Sequence, residues 1–225
     1  SARISRMDLD STRKKYAHQK LINAFSRQEI DILIGTQMIT KGLDFKQVTM
    51  VGVLSADNFL HFPDFRAHAR AFQVLTQVAG RAGRVGDESK VLIQTFQPQH
   101  PVLKFVSNYD YASFYELQIK QREQFGYPPY TRIRRIELKH KNMSTLISAS
   151  EWLKKGLLAR FSQVLGPVAP TVGRVRNYYI HNILIKLSLE VSQSAAKNRL
   201  SKLLKSFEMV GAFSQVIVIV DVDPQ

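Results

Sequence analysis

The sequence predicts an α/β unit with a mostly parallel sheet, followed by a smaller α+β unit in the order βαββαβ. Three observations carry that expectation. Apolar runs alternate with helical patterns up to Pro98. A break follows, in which Pro98, Pro101, Pro128 and Pro129 bracket one polar helical pattern. Beyond Tyr130, strand patterns frame two helices.

In chain order, Ile4 to Met7 is a short β-prone run followed by Asp8 and Asp10. Ser11 or Thr12 can cap a helix running to about Arg27, with Tyr16, Leu21, Ala24 and Phe25 at helical spacing. Asp31 to Gly35 reads as a buried strand, and Val48 to Leu54 as another. Arg66 to Gly83 is a helix and Lys90 to Phe96 a strand. Connections this short fit a parallel α/β layer. Tyr111 to Gln124 is a polar helix, stopped at Gly126 and by Pro128 and Pro129. The predicted organisation is residues 1–98 as a first unit, 99–130 as a helical connector and 131–225 as a second unit. In the latter, Thr131 to Lys139 alternates apolar and charged residues, Thr145 to Phe161 is a helix and Gln163 to Val168 a strand. Asn177 to Glu190 is a longer strand, Ala195 to Phe207 a helix and Gln215 to Val222 the last strand. That order is the split-βαβ, ferredoxin-like plan.

The net charge is +14, and the sequence contains no cysteine. Disulfides and cysteine-ligated metals are therefore excluded within these residues. The six histidines form no metal-spaced cluster. No apolar run is long enough to span a bilayer, and no secretory signal pattern is present. Up to Pro98 there are 14 Lys and Arg against 9 Asp and Glu, and 18 against 9 thereafter. A polyanion is the natural partner, and nucleic acid fits better than a membrane surface, since no basic amphipathic helix with exposed aromatics supports the latter. The chain opens Ser-Ala-Arg almost directly on a strand pattern, and the expectation is a piece of a longer protein.

The densest chemistry lies in Gln73 to Arg84. Gln77, Arg81 and Arg84 are spaced by four and three, which puts one amide and two guanidiniums on one face of a helix. Gly80 and Gly83 sit between them, each costing a helix interior about 1 kcal/mol relative to alanine. A close approach by something bulky or anionic would offset that cost. Arginine suits a site that must neutralise a transferring phosphoryl group. The competing reading is a basic surface helix with a glycine C-cap. A second constellation is Leu33 to Phe45. Thr36 lies at the carboxyl end of a strand, where open α/β sheets bind ligands. Gly42 permits a tight turn, and Asp44 can accept hydrogen bonds from hydroxyls or pair with arginine. Thr36, Gln37, Thr40 and Lys41 offer hydroxyl, amide and ammonium groups to a phosphate backbone. The alternative is a capped turn with Asp44 as a surface acid.

In the second unit, Arg174, Arg176, Tyr178 and Tyr179 interleave basic and aromatic groups between two strands, a composition suited to phosphate contact and base stacking. Arg132, Arg134 and Arg135 are candidates for the same field, although alternation puts the first two opposite the third. A solvated hairpin is the bland reading. Phe59, Leu60, Phe62 and Phe65, in the stretch from Asp57 to Arg66, could form a wedge for unpaired bases; packing against their own unit is preferred. His61 and His68 are read as structural or solvated.

Gly35 to Phe45 (GTQMITKGLDF) resembles motif V of superfamily 2 helicases, and Gln77 to Arg84 (QVAGRAGR) resembles motif VI. Arg6 to Thr12, Ala56 to Arg84, Leu165 to Pro170 and Asp221 to Gln225 are similar to the primosomal protein N′ family of bacterial replication-restart DNA helicases. The resemblance spans essentially the whole chain. It implies a partial RecA-like second helicase lobe followed by a DNA-binding domain, within an ATP-driven enzyme that unwinds 3′ to 5′. By motif, Arg81 and Arg84 would be arginine fingers, with Gln77 ordering them or the attacking water. Gly42 and Asp44 would face the nucleotide, and Thr36, Gln37, Thr40 and Lys41 the DNA. ATP and Mg would serve the full-length protein. The phosphate loop and the acidic Mg motif are missing from these residues, so the chain alone is expected to be inactive. The family's zinc sites use cysteines upstream. The implied partners are forked and single-stranded DNA, single-stranded DNA-binding protein and other primosome proteins, with no membrane, in the bacterial cytoplasm and nucleoid. The rival readings are a non-enzymatic nucleic-acid-binding module and a superfamily 2 helicase acting on RNA.

Overall fold

The computed structural model describes residues 1–8, 17–36, 48–80 and 89–224. It divides into two compact units, Ser1–Glu116 and Leu117–Gln225.

In the first unit, β1 (Ile4–Met7), α1 (Ala17–Ser26) and β2 (Ile32–Gly35) come first. Strands β1 and β2 pair in parallel, from Ile4 opposite Ile32 to Met7 opposite Gly35. The Arg3 guanidinium anchors the start of this pair by gripping the Asp31 carboxylate through Nε at 3.0 Å and Nη2 at 2.7 Å. Those side-chain bonds hold the Asp31 carboxyl down at about 2. Next come β3 (Met50–Val53), α2 (Asp57–Leu60), α3 (Ala67–Ala79), β4 (Lys90–Ile93) and α4 (Pro101–Ser107). Strands β3 and β4 are also parallel, so both described pairs have the parallel sense expected of an α/β layer.

The core of this unit forms around α2, α3 and α4. Leu60, Ala71, Phe72, Leu75, Val102, Leu103 and Val106 pack there with Phe114. The rings of Phe72 and Phe114 stack 4.3 Å apart. Two expectations need correction. Asp31 to Gly35 is not buried: Ile32 and Ile34 remain 45% and 49% exposed, because the apolar core gathers on the helices instead. Helix α4 is unanticipated, since Pro98 and Pro101 read as a break. Pro101 occupies the first turn, where a missing N–H costs nothing, and His100 Nδ1 caps the helix by accepting from the Val102 amide at 3.3 Å. In the aromatic stretch, Leu60 is buried and Phe59 packs on the core, while Phe62 is exposed.

Three imidazoles gather beside this core. The His68 and His100 rings lie 5.1 Å apart, and those of His61 and His100 6.3 Å apart. Burial, then His61, pushes His68 below the ordinary value of 6.5. Burial, then His68 and His61, does the same for His100, against a smaller opposing pull from Asp57. Below that ordinary value the unfolded chain takes up protons that the folded unit resists. Stability present near neutrality is therefore lost as the pH falls toward the depressed folded values. The thermal midpoint should drop between about pH 7 and pH 5, and His68→Gln with His100→Asn should flatten that drop. A profile unchanged by the pair would show that these imidazoles stay solvated.

Helix α5 (Tyr111–Gln124) covers the residues expected of the polar helix. The second unit then runs β5 (Thr131–His140), α6 (Met143–Leu158), β6 (Gln163–Val168), β7 (Arg174–Val175), β8 (Tyr178–Ser188), α7 (Gln193–Glu208) and β9 (Ile217–Val222). Apart from the two-residue β7, the order is the expected βαββαβ. The sheet order is β6-β8-β5-β9, and every pairing is antiparallel. Alternation along β5 and β8 turns Ile136, Leu138, Ile183 and Ile185 to one face. There they meet Leu146, Leu153 and Leu157 of α6 and Leu200, Leu203 and Phe207 of α7. Asn142 caps α6 by accepting from the Thr145 amide at 3.0 Å. A Cβ on Gly156 would lie 2.5 Å from Leu203 Cδ1, so glycine there lets α6 and α7 approach closely.

Candidate nucleic-acid interface

The first unit carries two described members of the expected sites. Thr36 follows the last residue of β2 and is exposed, at the carboxyl end of the strand. Gln77 is exposed in the last turn of α3. The described helix ends at Ala79, with Gly80 as its C-cap at an ordinary φ of −67°. Gly80 thus fills the C-cap role of the competing reading, and its conformation does not demand glycine. Gln37, Thr40, Lys41, Gly42, Asp44, Arg81 and Arg84 lie outside the described residues, as does the proposed cap at Ser11 or Thr12.

The second unit brings its candidate residues together. Val175 pairs with Tyr178 and Arg174 with Tyr179, leaving Arg176 and Asn177 as a two-residue turn. Both turn residues have positive φ, 47° and 67°, the signature of the tight hairpin turn whose twist matches the strands. Arg174, Arg176 and Asn177 are exposed at this tip. The Arg174 guanidinium lies 4.8 Å from the Tyr179 ring centroid, and its Nη2 reaches Asn177 Oδ1 at 3.4 Å. Tyr179 also packs on the core beneath it. One face of Tyr179 is therefore taken by Arg174, and any base stacked there must displace a cation. Neighbours in a strand point to opposite faces, so Tyr178 projects to the other side, where Lys141 Nζ sits 5.5 Å from its ring centroid.

The remaining arginines of the predicted field are occupied. Arg134 is 5% exposed and donates through Nη2 to Gln193 Oε1 at 2.8 Å. Arg132 donates to the Val191 carbonyl at 3.3 Å. Arg135 pairs with Asp221 at 2.8 Å. These three tie strands and the start of α7 together and do not join the hairpin field.

Lys141 was not evident from the sequence. The register that pairs His140 with Tyr179 brings the next residue beside Tyr178, and no local pattern carries that pairing. Lys186 is hidden from the sequence for the same reason. It donates to the Phe125 carbonyl at 2.6 Å and lies 3.7 Å from the Tyr127 ring centroid. Burial lowers its pKa below the ordinary lysine value.

Comparison with known proteins agrees with this division. Residues 2–86 match the helicase conserved C-terminal domain, and residues 123–225 match the primosomal protein N C-terminal domain. Over 100% of its length the chain is 40% identical to replication restart protein PriA of Bacillus subtilis, covering 28% of that protein. It is 38% identical over 97% of its length to the PriA of Synechocystis, covering 26% of it. It is 34% identical over its full length to the PriA of Borreliella burgdorferi, covering 33% of it. The chain thus spans roughly a quarter to a third of the length of these relatives. With a helicase domain matched on its first unit and the primosomal domain on its second, the chain belongs to the PriA family of replication restart proteins and corresponds to their carboxyl-terminal part.

Proposed function

We propose that this chain is the carboxyl-terminal part of an ATP-dependent 3′ to 5′ DNA helicase that recognises abandoned replication forks and restarts replication through primosome assembly. The observation that carries the reading is the succession, in one chain, of a helicase carboxyl-terminal match and the primosomal domain. In this reading the first unit is part of a RecA-like second lobe. Its parallel pairs β1-β2 and β3-β4 support that assignment. The second unit is a ferredoxin-like domain, supported by its element order and antiparallel sheet. Arg81 and Arg84 serve as arginine fingers with Gln77 beside them, and Gly42 and Asp44 face the nucleotide. These roles rest on motif likeness, because four of the five residues lie outside the described residues. ATP and Mg are held mainly by upstream sequence, which would also carry the family's zinc. Forked and single-stranded DNA are the ligands of this chain, with single-stranded DNA-binding protein and other primosome proteins as partners in the bacterial cytoplasm.

The hairpin tip is the DNA contact of the second unit. Arg174 and Arg176 supply phosphate contacts, and Tyr178 and Tyr179 supply stacking, with Tyr179 available only when Arg174 swings away. Affinity for a fluorescent fork should fall steeply with salt, by about 0.9 logarithmic units per phosphate contact on duplex and 0.7 on single strands. Arg174→Ala with Arg176→Ala should weaken binding to all sequences alike and flatten that dependence. Tyr178→Ala should weaken binding with less change in slope, because stacking releases few ions. Fork binding that survives the double arginine change with an unaltered slope would reduce the tip to a solvated turn.

A further inference from the structure

The solvent face of α7 is dense in positive charge. Ala196, Leu200, Leu203 and Phe207 turn one side of α7 to the core. Lys197, Arg199, Lys202 and Lys205 are all exposed on the remainder. At about 100° per residue, Lys202 and Lys205 project most directly away from the core, together with Ser194, Asn198 and Ser201. The single acid of the helix, Glu208, is its last residue. Arg199, Lys202 and Lys205 follow one another at three-residue steps, so neighbours on one face repel. The first turn holds no acid, Lys197 follows directly after it, and Lys205 lies in the last turn, at the negative end of the helix dipole. The ion pairs among the described residues involve none of these four cations. Among the described residues, no ion pair offsets this concentration of like charge.

We propose that the solvent face of α7 binds the phosphate backbone of duplex nucleic acid, as a second site apart from the hairpin tip. Three cations at steps of about 4.5 Å along a rigid helix meet a duplex whose charges come about every 1.7 Å of axis. Ser194, Asn198 and Ser201 supply neutral donors to phosphate oxygens between them. The only aromatic of α7, Phe207, is buried, so base stacking plays no part and a single strand is the poorer ligand. The apolar side of α7 is committed to the core, so the helix cannot insert into a bilayer.

The test is a salt titration of the 225-residue chain against a blunt duplex and a single strand of equal length. Lys202→Ala with Lys205→Ala should weaken duplex binding about tenfold near physiological salt and flatten the slope by about two units. Single-strand binding should change less. The thermal midpoint should stay at or above the parent value, since the change removes like-charge repulsion; Lys202→Gln with Lys205→Gln is the substitute pair if the alanine pair folds poorly. Arg174→Ala with Arg176→Ala separates the two sites. Loss of duplex affinity only in the hairpin pair would support the tip and overturn the α7 site. Loss only in the α7 pair would do the reverse. A lysine pair with parental duplex binding but weakened binding to anionic phosphatidylserine vesicles would also overturn the proposal.

Discussion

Replacing Arg81 or Arg84 by alanine in the full-length protein is expected to lower DNA-stimulated ATP hydrolysis by roughly 10³-fold. The expectation rests on their place in a Gln-x-x-Gly-Arg-x-Gly-Arg pattern and on what guanidinium does best. It stays charged when partly desolvated, and its fork matches phosphoryl oxygens. A charge that acts mainly on the developing transition state should leave nucleotide-free DNA affinity nearly unchanged. The measurement is phosphate release with and without DNA, beside a fork-binding curve for each variant. Hydrolysis at the parental rate in both would show that neither arginine reaches the phosphates. A loss of DNA affinity equal to the loss of rate would place them in the DNA grip instead.

Gly166→Ala should destabilise the second unit by about 3 kcal/mol. Gly166 has a φ of +97°, a conformation that side-chain-bearing residues rarely adopt. An added Cβ would also lie 2.5 Å from the Asn182 carbonyl oxygen and 3.3 Å from the Val168 amide nitrogen. Both obstacles are backbone, one of them in the central strand β8, so rotating a side chain relieves neither. The position lies where the β6-β8 register shifts between Leu165 and Val168, and the irregularity depends on glycine. Chemical denaturation should show a lowered midpoint with an unchanged slope. Gly211→Ala is the contrasting control, since nothing lies within 4 Å of its added Cβ. Equal midpoints for both variants would mean that β6 tolerates a shift in its path.

Local pattern was most readable where one face decides everything. The polar helix α5 and the strand β6 have the bounds that composition and turn residues indicate, because Gly126 and the prolines leave the chain few alternatives. The exposure of β2 is not legible in the sequence, since an apolar run of four residues looks the same whether or not helices cover it. Helix α4 was hidden because a proline after a break reads as a stop, although the same ring suits a first turn. At the hairpin, the alternation of Arg174 to Tyr179 disclosed the candidate cluster. It could not disclose that Arg174 already covers one tyrosine, or that Lys141 attends the other. Those facts depend on cross-strand register, a long-range quantity. The same holds for Arg132, Arg134 and Arg135. Alternation places them on opposite faces, yet their partners, Val191, Gln193 and Asp221, are between 59 and 86 residues away.

The turn at Arg176 and Asn177 has a bearing on thermal tolerance. Asparagine accepts the left-handed region with modest strain, but a long side chain with a Cβ does so at a cost of about 1 kcal/mol or more. Glycine at position 176 would relieve that strain and should raise the melting temperature of the second unit. The same change would remove a guanidinium from the outermost point of the hairpin. A lineage selected only for heat resistance should therefore drift toward glycine here, and one that relies on the tip for grip should keep the arginine. Position 176 is thus a place where durability and adhesion pull a single residue in opposite directions.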